Sequence, residues 1–310
     1  MAKATKTSKK TPVKRTKKQH QPDYYPVQRT IPLGVDASSL TGTCVGDAGK
    51  LLSISNRRLY RYGNMYQMKL DLHVDVTQNA DIEVEVYALR NTWDVQRGFA
   101  LAKKVWDEST EEERETASSA IARWRDFRVQ HGVTGANVLD PVRYDNASLA
   151  ADVDNNGEHL DSVVDKGGVQ TFFTWGNASA TALDIMGEWN QAGRTSNEPA
   201  SFSTTTPYDG VNADDMSDVE IAALADRGNS PPYAAQSATD CLVKVATLVI
   251  RPGTAPSNAG GLSKLSTGYF DAPCGLFVLK FNTALSNGRM DLVLKSGDYK
   301  GVSAFAMTQG

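Results

Sequence analysis

Between Tyr66 and Val76 the chain reads YQMKLDLHVDV, an unbroken alternation of apolar and polar side chains over eleven residues. Tyr66, Met68, Leu70, Leu72, Val74 and Val76 fall on one side; Gln67, Lys69, Asp71, His73 and Asp75 fall on the other. A period of two puts successive side chains on opposite faces of a strand, so this stretch requires a long strand with one dry face. Asp81 to Leu89, DIEVEVYAL, alternates again, with Ile82, Val84 and Val86 opposite Glu83 and Glu85. The polar stretch TQNAD between the two runs reads as a turn, and the runs are expected to form an antiparallel pair.

The period then changes. Val95, Phe99, Ala102 and Trp106 recur every three or four residues, which is one face of a helix. Thr110 to Glu113 fits a capping box that opens a second helix, with Ala117, Ile121, Trp124 and Phe127 on its apolar face. A helical insertion over about 93–130 therefore follows the two strands. Residues 132–239 are dominated by Gly, Asn, Asp, Ser and Thr and read as long surface loops. Within them Gln170 to Trp175 reads as a strand. Ser217 and Glu220, with Val219, Ile221, Leu224 and a closing Gly228, read as a capped helix. Cys241 to Arg251, Cys274 to Asn282 and Arg289 to Lys295 are apolar, β-branched runs separated by Gly and Pro clusters, and Tyr299 to Met307 reads as a last strand. Roughly eight strands in two groups give a mainly β chain, a β-sandwich or jelly roll with helical insertions in its loops. No composition break divides residues 23–310, which are expected to form one domain.

Charge divides the chain where hydropathy does not. Eight of the 33 Lys and Arg lie in residues 1–18 and none of the 36 Asp and Glu do, so residues 19–310 carry 25 basic against 36 acidic side chains, a net of −11. Like charges at this density repel, and an arm without apolar residues cannot offset its ordering entropy, so residues 1–22 read as a disordered basic arm. No apolar core follows the lysines, so the N-terminus does not read as a secretory signal, and no run is long and apolar enough for a membrane span. Cys44, Cys241 and Cys274 lack metal or disulfide spacing and read as reduced, partly buried thiols in an intracellular setting. The glycosylation patterns at Asn146 and Asn177 read as unused without a secretory signal.

The arm is the first candidate site. Lys3, Lys6, Lys9, Lys10, Lys14, Arg15, Lys17 and Lys18 suit sequence-independent neutralisation of phosphates, and the density of the run also fits a nuclear import signal. A body of −11 needs no added solubilising tail. Arg57, Arg58 and Arg61, interleaved with Tyr60, Tyr62 and Tyr66, form a second basic group that combines forks for phosphate with aromatics for base stacking; its plainer alternative is a strand edge with solvated arginines.

Other patterns fail on inspection. Asp152, Asp154, Asn156 and Gly157 match the first half of a calcium loop, but the bidentate glutamate expected at position twelve is Val163; a polar turn is the simpler reading, and no metal or other cofactor is assigned. Gly42 to Leu52 resembles a phosphate loop, yet Cys44 and Leu51 replace the required glycine and hydroxyl, and the glycines read as shaping a turn before a strand. His20, His73, His131 and His159 sit in no nucleophile or zinc pattern, and Glu111, Glu112, Glu113 and Glu115 read as a solvated helix face, so no catalytic residue is assigned and the chain is not expected to be an enzyme.

The arm Lys3 to Lys18, the strand Tyr66 to Val76, and Val86 to Trp93 leading into helices that end at Ala122 to Arg128 together resemble the capsid proteins of small circular single-stranded DNA viruses, the CRESS-type group. The similarity covers roughly the first 130 residues. In this chain the arm is richer in lysine than arginine, and the helical insertion is unusual beside circovirus capsids. The resemblance implies a single eight-stranded jelly roll that self-assembles into an icosahedral shell, of T=1 size or a multiple, with the arm facing inward on single-stranded DNA. It also implies residence in the virion, and in the host nucleus during assembly, where an import receptor would be a partner. A shell of about 60 copies would carry roughly 480 arm charges, enough to offset several hundred phosphates. Two rivals remain at this point: a cellular β-domain that binds nucleic acid or chromatin as a small oligomer, and an enzyme with a localising basic tail.

Overall fold

A computed structural model of the 310-residue chain describes residues 26–35, 40–75, 81–111, 115, 124–144, 151–153, 161–166, 168–176, 179, 181–192, 241–250, 262–285 and 288–307. In chain order the elements are β1 (Thr30–Gly34), β2 (Thr43–Asp47), α1 (Ala48–Asn56), β3 (Asn64–Asp75), β4 (Ile82–Leu89) and α2 (Trp93–Ser109). There follow β5 (Asn137–Val138), β6 (Asp140–Tyr144), β7 (Ala151–Val153), β8 (Val163–Lys166), β9 (Val169–Thr174), β10 (Ala182–Asp184) and α3 (Ile185–Ala192). The last are β11 (Leu242–Ile250), β12 (Leu262–Ser266), β13 (Phe270–Ala272), β14 (Leu276–Phe281), β15 (Gly288–Leu294) and β16 (Ala304–Ala306).

The fold is mainly β. One sheet runs β12-β3-β15-β1-β6-β7, with β13 and β16 also paired to β3; a second runs β11-β4-β14-β2-β5. They pack face to face as a sandwich. Tyr66, Met68, Leu70, Leu72 and Val74 of β3 meet Ile82, Val84 and Val86 of β4 in one core with Phe277, Leu279 and Leu292, all at most 1 % exposed. Four antiparallel ladders are nested in sequence: β1 with β15, β2 with β14, β3 with β12, and β4 with β11.

The second sheet is covered on its outer face over β14 and the adjoining parts of β2 and β4, while Val243, Val245 and Val249 of β11 stay exposed. Phe277, Leu279 and Phe281 of β14 point into the sandwich, while Leu276 and Val278 point outward into a second cluster with Val95, Phe99 and Trp106 of α2, Phe173 of β9, and Met186 of α3. The continuous apolar run of β14 therefore reflects a strand dry on both sides, and truncating a side chain such as Leu279 to Ala there costs about 2–5 kcal/mol. The outer layer, with its small β10-β9-β8 sheet, is built entirely from the chain between β4 and β11. Its helices approach closely at Gly98, where a Cβ would lie 3.2 Å from Ile185.

Several expectations need correction. β3 and β4 are not a hairpin pair; they belong to opposite sheets and meet through their dry faces. Sixteen strands form among the described residues, twice the expected eight: β5, β6 and β7 extend the edges of the two main sheets, β8, β9 and β10 form a third sheet, and β13 and β16 pair with β3. Thr110 closes α2, its hydroxyl donating to the Trp106 carbonyl at 2.8 Å, and helix resumes at Glu111, where the second helix was expected to start. Phe127 is buried on an irregular segment and Trp124 is exposed, so neither sits on a helix face as expected. Residues 112–114 and 116–123 of the expected second helix, the helix at 217–228, and Asn146 and Asn177 of the glycosylation patterns lie outside the described residues. None of the three cysteines is in a disulfide, and all are fully buried rather than partly so.

Candidate nucleic-acid interface

The stretch that resembled a phosphate loop builds one wall of the candidate site. Gly42, at φ 64°, turns the chain ahead of β2 as expected, but β2 then runs directly into α1, and Gly46 lies in β2 and Gly49 in α1. The Asp47 side chain caps α1 by accepting from the backbone N–H groups of Gly49 at 2.8 Å and Lys50 at 3.1 Å. An aspartate at this position takes the place an anion would hold, so this helix start binds its own carboxylate rather than phosphate.

The other end of α1 carries the charge. The helix stops at Arg57, whose φ of 53° is left-handed, a position that glycine usually fills. The chain then passes Arg58 and Arg61 before entering β3. Facing them is the tight turn between Tyr299 and Val302, whose backbones exchange hydrogen bonds at 3.1 and 3.0 Å. Its two central residues, Lys300 and Gly301, have φ of 49° and 89°, the pattern of a type I′ turn. Lys300 donates to the Leu59 carbonyl, and its ammonium stands 5.2 Å from the Tyr299 ring and 5.7 Å from the Tyr60 ring. Burial lowers the Lys300 pKa, and repulsion from Arg58 and Arg61 lowers it further, so the three cations sense one another.

Here, too, the chain enters the described body. Gln28 N–H donates to Asn56 Oδ1 at 2.8 Å, Asn56 Nδ2 returns a bond to the Gln28 carbonyl at 3.2 Å, and Arg29 Nε donates to the Gly301 carbonyl at 2.7 Å. Arg29, Arg57, Arg58, Arg61 and Lys300 thus surround the root of the basic arm. Arg57, Arg58 and Arg61 are exposed, and none of the three, nor Lys300, has a carboxylate within ion-pair distance among the described residues. Some cations elsewhere are paired, Lys50 with Asp140 at 3.1 Å, Lys69 and Lys264 with Asp71 at 3.0 Å, and Arg128 with Asp47, while Arg97, Lys280 and Lys295 are exposed and likewise without an ion pair among the described residues. Two of the three non-glycine residues in left-handed conformation among the described residues, Arg57 and Lys300, belong to this cluster. Backbone strain held on a charged residue is a recurrent mark of function.

The structure brings together Arg57, Arg58 and Arg61, as expected, but on a helix end and loop rather than a strand edge. It removes the aromatic half of the expectation: Tyr60, Tyr62 and Tyr66 are at most 2 % exposed and form core, so none can stack on a base. Arg29 and Lys300 were missed; the only sequence signal was the Lys-Gly pair of a tight turn. Lys3, Lys6, Lys9, Lys10, Lys14, Arg15, Lys17 and Lys18 lie outside the described residues, as do Asp154 and Asn156, while Asp152 lies in β7. No group of three His, Cys, Asp or Glu side chains is placed to hold a metal among the described residues.

A second feature lies beyond α1, a cavity of about 530 Å³ walled by Asp47, Tyr62, Arg128, His131 and Asp161, among others. Burial pushes the Asp161 carboxyl up and the His131 imidazole down. His131 Nδ1 accepts the Val133 N–H at 3.0 Å, so the neutral ring carries its proton on Nε2. Asp126, just behind, is also raised by burial while accepting the Tyr62 N–H at 2.7 Å. The sequence separated these groups by up to 114 positions and gave no sign that they converge.

No protein-family model, curated protein or solved structure matches this chain.

Proposed function

We propose that this chain is a capsid subunit, a single jelly roll that self-assembles into an icosahedral shell and holds single-stranded nucleic acid through its Lys-rich arm. The strand pairing supports the jelly-roll part. Taken in chain order, β1, β2, β3, β4, β11, β12, β14 and β15 pair first with eighth, second with seventh, third with sixth and fourth with fifth. That nesting, folded into two sheets, is the arrangement of interlocked Greek keys. The observation that carries the functional part is the cluster of cations at the arm's root, without an ion pair among the described residues, on a body that is otherwise net acidic. The arm and its root attract phosphate on a body that is acidic overall, which suits a container whose contents touch one side only.

Electron microscopy of the purified protein, followed by nuclease digestion, tests this. Spherical particles of megadalton mass holding protected nucleic acid are expected. Deletion of residues 1–18 leaves the particles and empties them. Small oligomers alone would instead favour a cellular nucleic-acid-binding domain. Truncated particles that still protect a full-length genome would remove the role given to the arm.

The cavity supports a second reading, in which Asp161 and His131 act on a small bound molecule as an acid and base whose burial shifts them in opposite directions. A ligand library screened by thermal shift tests it: a compound that raises the midpoint of the protein but not of Asp161→Asn supports the reading, and none doing so removes it.

A further inference from the structure

The outward face of β3 carries a layered charge network. Asp71 and Asp291 are directly opposed on β3 and β15 and lie at the bottom, 3 % and 4 % exposed. Above them, Lys69 and Lys264 each reach Asp71 Oδ2 at 3.0 Å, Arg289 reaches Asp291 Oδ2 at 2.9 Å, and His73 stands 3.4 Å from the same oxygen. The heads of Lys264 and Arg289 are 52 % and 61 % exposed. The cations thus lie outermost over an acidic foundation, with the exposed Asp271 beside Gln67 farther along the same face, and the buried carboxylates hold the cations in place.

Tyr269 stands at the rim of this network. It is 55 % exposed, and the Lys69 ammonium lies 5.7 Å from its ring. Its backbone is fixed: Thr267 N–H donates to the Leu70 carbonyl and Leu70 N–H to Thr267 Oγ1, both at 3.0 Å, and Gly268 turns the chain at φ 75°. A large ring kept in water by a rigid turn, beside cations already oriented, has the parts of a base-stacking platform. From Lys69 to the start of β3 at Asn64 is about 17 Å of strand, which ends at the basic cluster around the arm's root.

We propose that this face binds single-stranded nucleic acid, with Tyr269 stacking on an unpaired base while Lys69, Lys264 and Arg289 hold the flanking phosphates. The inference rests on the nucleic-acid reading above and adds to it a preference for unpaired strands, which phosphate contacts alone do not provide. In a duplex the base faces are already stacked and closed to the ring. Recognition by stacking is tolerant of sequence because every base has a π-face.

The test is binding of full-length protein, at one fixed salt concentration, to a labelled 20-nucleotide oligothymidylate and to an abasic strand of the same length and charge. Wild type is expected to bind the thymidylate more tightly. Tyr269→Ala is expected to weaken thymidylate binding by roughly 5- to 100-fold and leave the abasic strand unchanged, while Tyr269→Phe keeps the preference. Equal affinity of wild type for both strands, or equal loss on both in Tyr269→Ala, overturns the platform and leaves the phosphate reading standing. Failure of wild type to bind either strand overturns the nucleic-acid reading itself. Loss of self-association in Tyr269→Ala with thymidylate binding unchanged assigns the face to a second copy of the chain and also overturns the platform.

Discussion

Asp71 and Asp291 face each other across the β3–β15 ladder with one carboxylate oxygen each, Oδ1, buried and without a hydrogen-bond partner among the described residues. Two carboxylates so placed repel, and Lys69, Lys264 and Arg289 above them offset that repulsion. For Asp71, burial raises the pKa, but hydrogen bonds from Ser266, Lys69 and Lys264 outweigh it and bring the carboxyl down to about 2. A depressed carboxylate contributes stability above its unfolded pKa and loses it as pH falls through the folded value. Asp71→Asn is therefore expected to cost about 2 kcal/mol at pH 7, and the gap to wild type should close as pH falls from about 4 to about 2. Denaturant titrations of both proteins across that window check it.

Asp126 has the opposite sign. Its pKa is raised, chiefly by burial, so its folded form favours the proton and the associated stability is lost as pH rises through the folded pKa. Asp126→Asn keeps an oxygen for the Tyr62 N–H and removes the charge. It is expected to be more stable than wild type at pH 7, with the difference shrinking under acid. A variant less stable at pH 7 would show that attraction to Arg61 and Arg128 outweighs burial.

Asp47 serves two partners with its two oxygens, the N-terminus of α1 and the guanidinium of Arg128. Asp47→Ala removes both and leaves Arg128, 6 % exposed, without its countercharge, at a cost of about 3–5 kcal/mol. Asp47→Asn retains the cap and should recover about 1 kcal/mol of that loss. Equal denaturation midpoints for the two variants would mean that the cap contributes nothing.

How much of this was legible in sequence depended on range. The dry faces of β3 and β4 followed from period alone, and so did the buried stripe Val95, Phe99, Ala102 and Trp106 of α2. Period tells a strand which face is dry but not which strand it meets, so β3 and β4 were read as neighbours when they are opposed. The run NRRLYRYGNMY showed its cations correctly and its tyrosines misleadingly. An aromatic beside arginines looks the same in sequence whether it faces water or, like Tyr62, donates its ring to the core and accepts the Trp175 indole N–H at 3.0 Å. Tyr269 carried no signal at all, because its exposure depends on a turn pinned to Leu70, almost two hundred residues earlier. The Arg128 cavity is hidden for the same reason.

The strain at Arg57 separates function from stability most directly. A left-handed residue closing a helix is favoured as glycine, and Arg57→Gly is expected to raise stability by up to about 1 kcal/mol. If the cation serves phosphate, the same change must weaken nucleic-acid binding. Each lost phosphate contact lowers the slope of log K against log salt by about 0.7 for single strands. Arg57→Gly should therefore show a higher thermal midpoint together with a shallower salt dependence. Arg58→Ser and Arg61→Ser, at positions without that strain, should show the shallower slope and little change in midpoint. A gain in stability with an unaltered salt slope would place Arg57 outside the interface and confine phosphate contact to its neighbours and the arm.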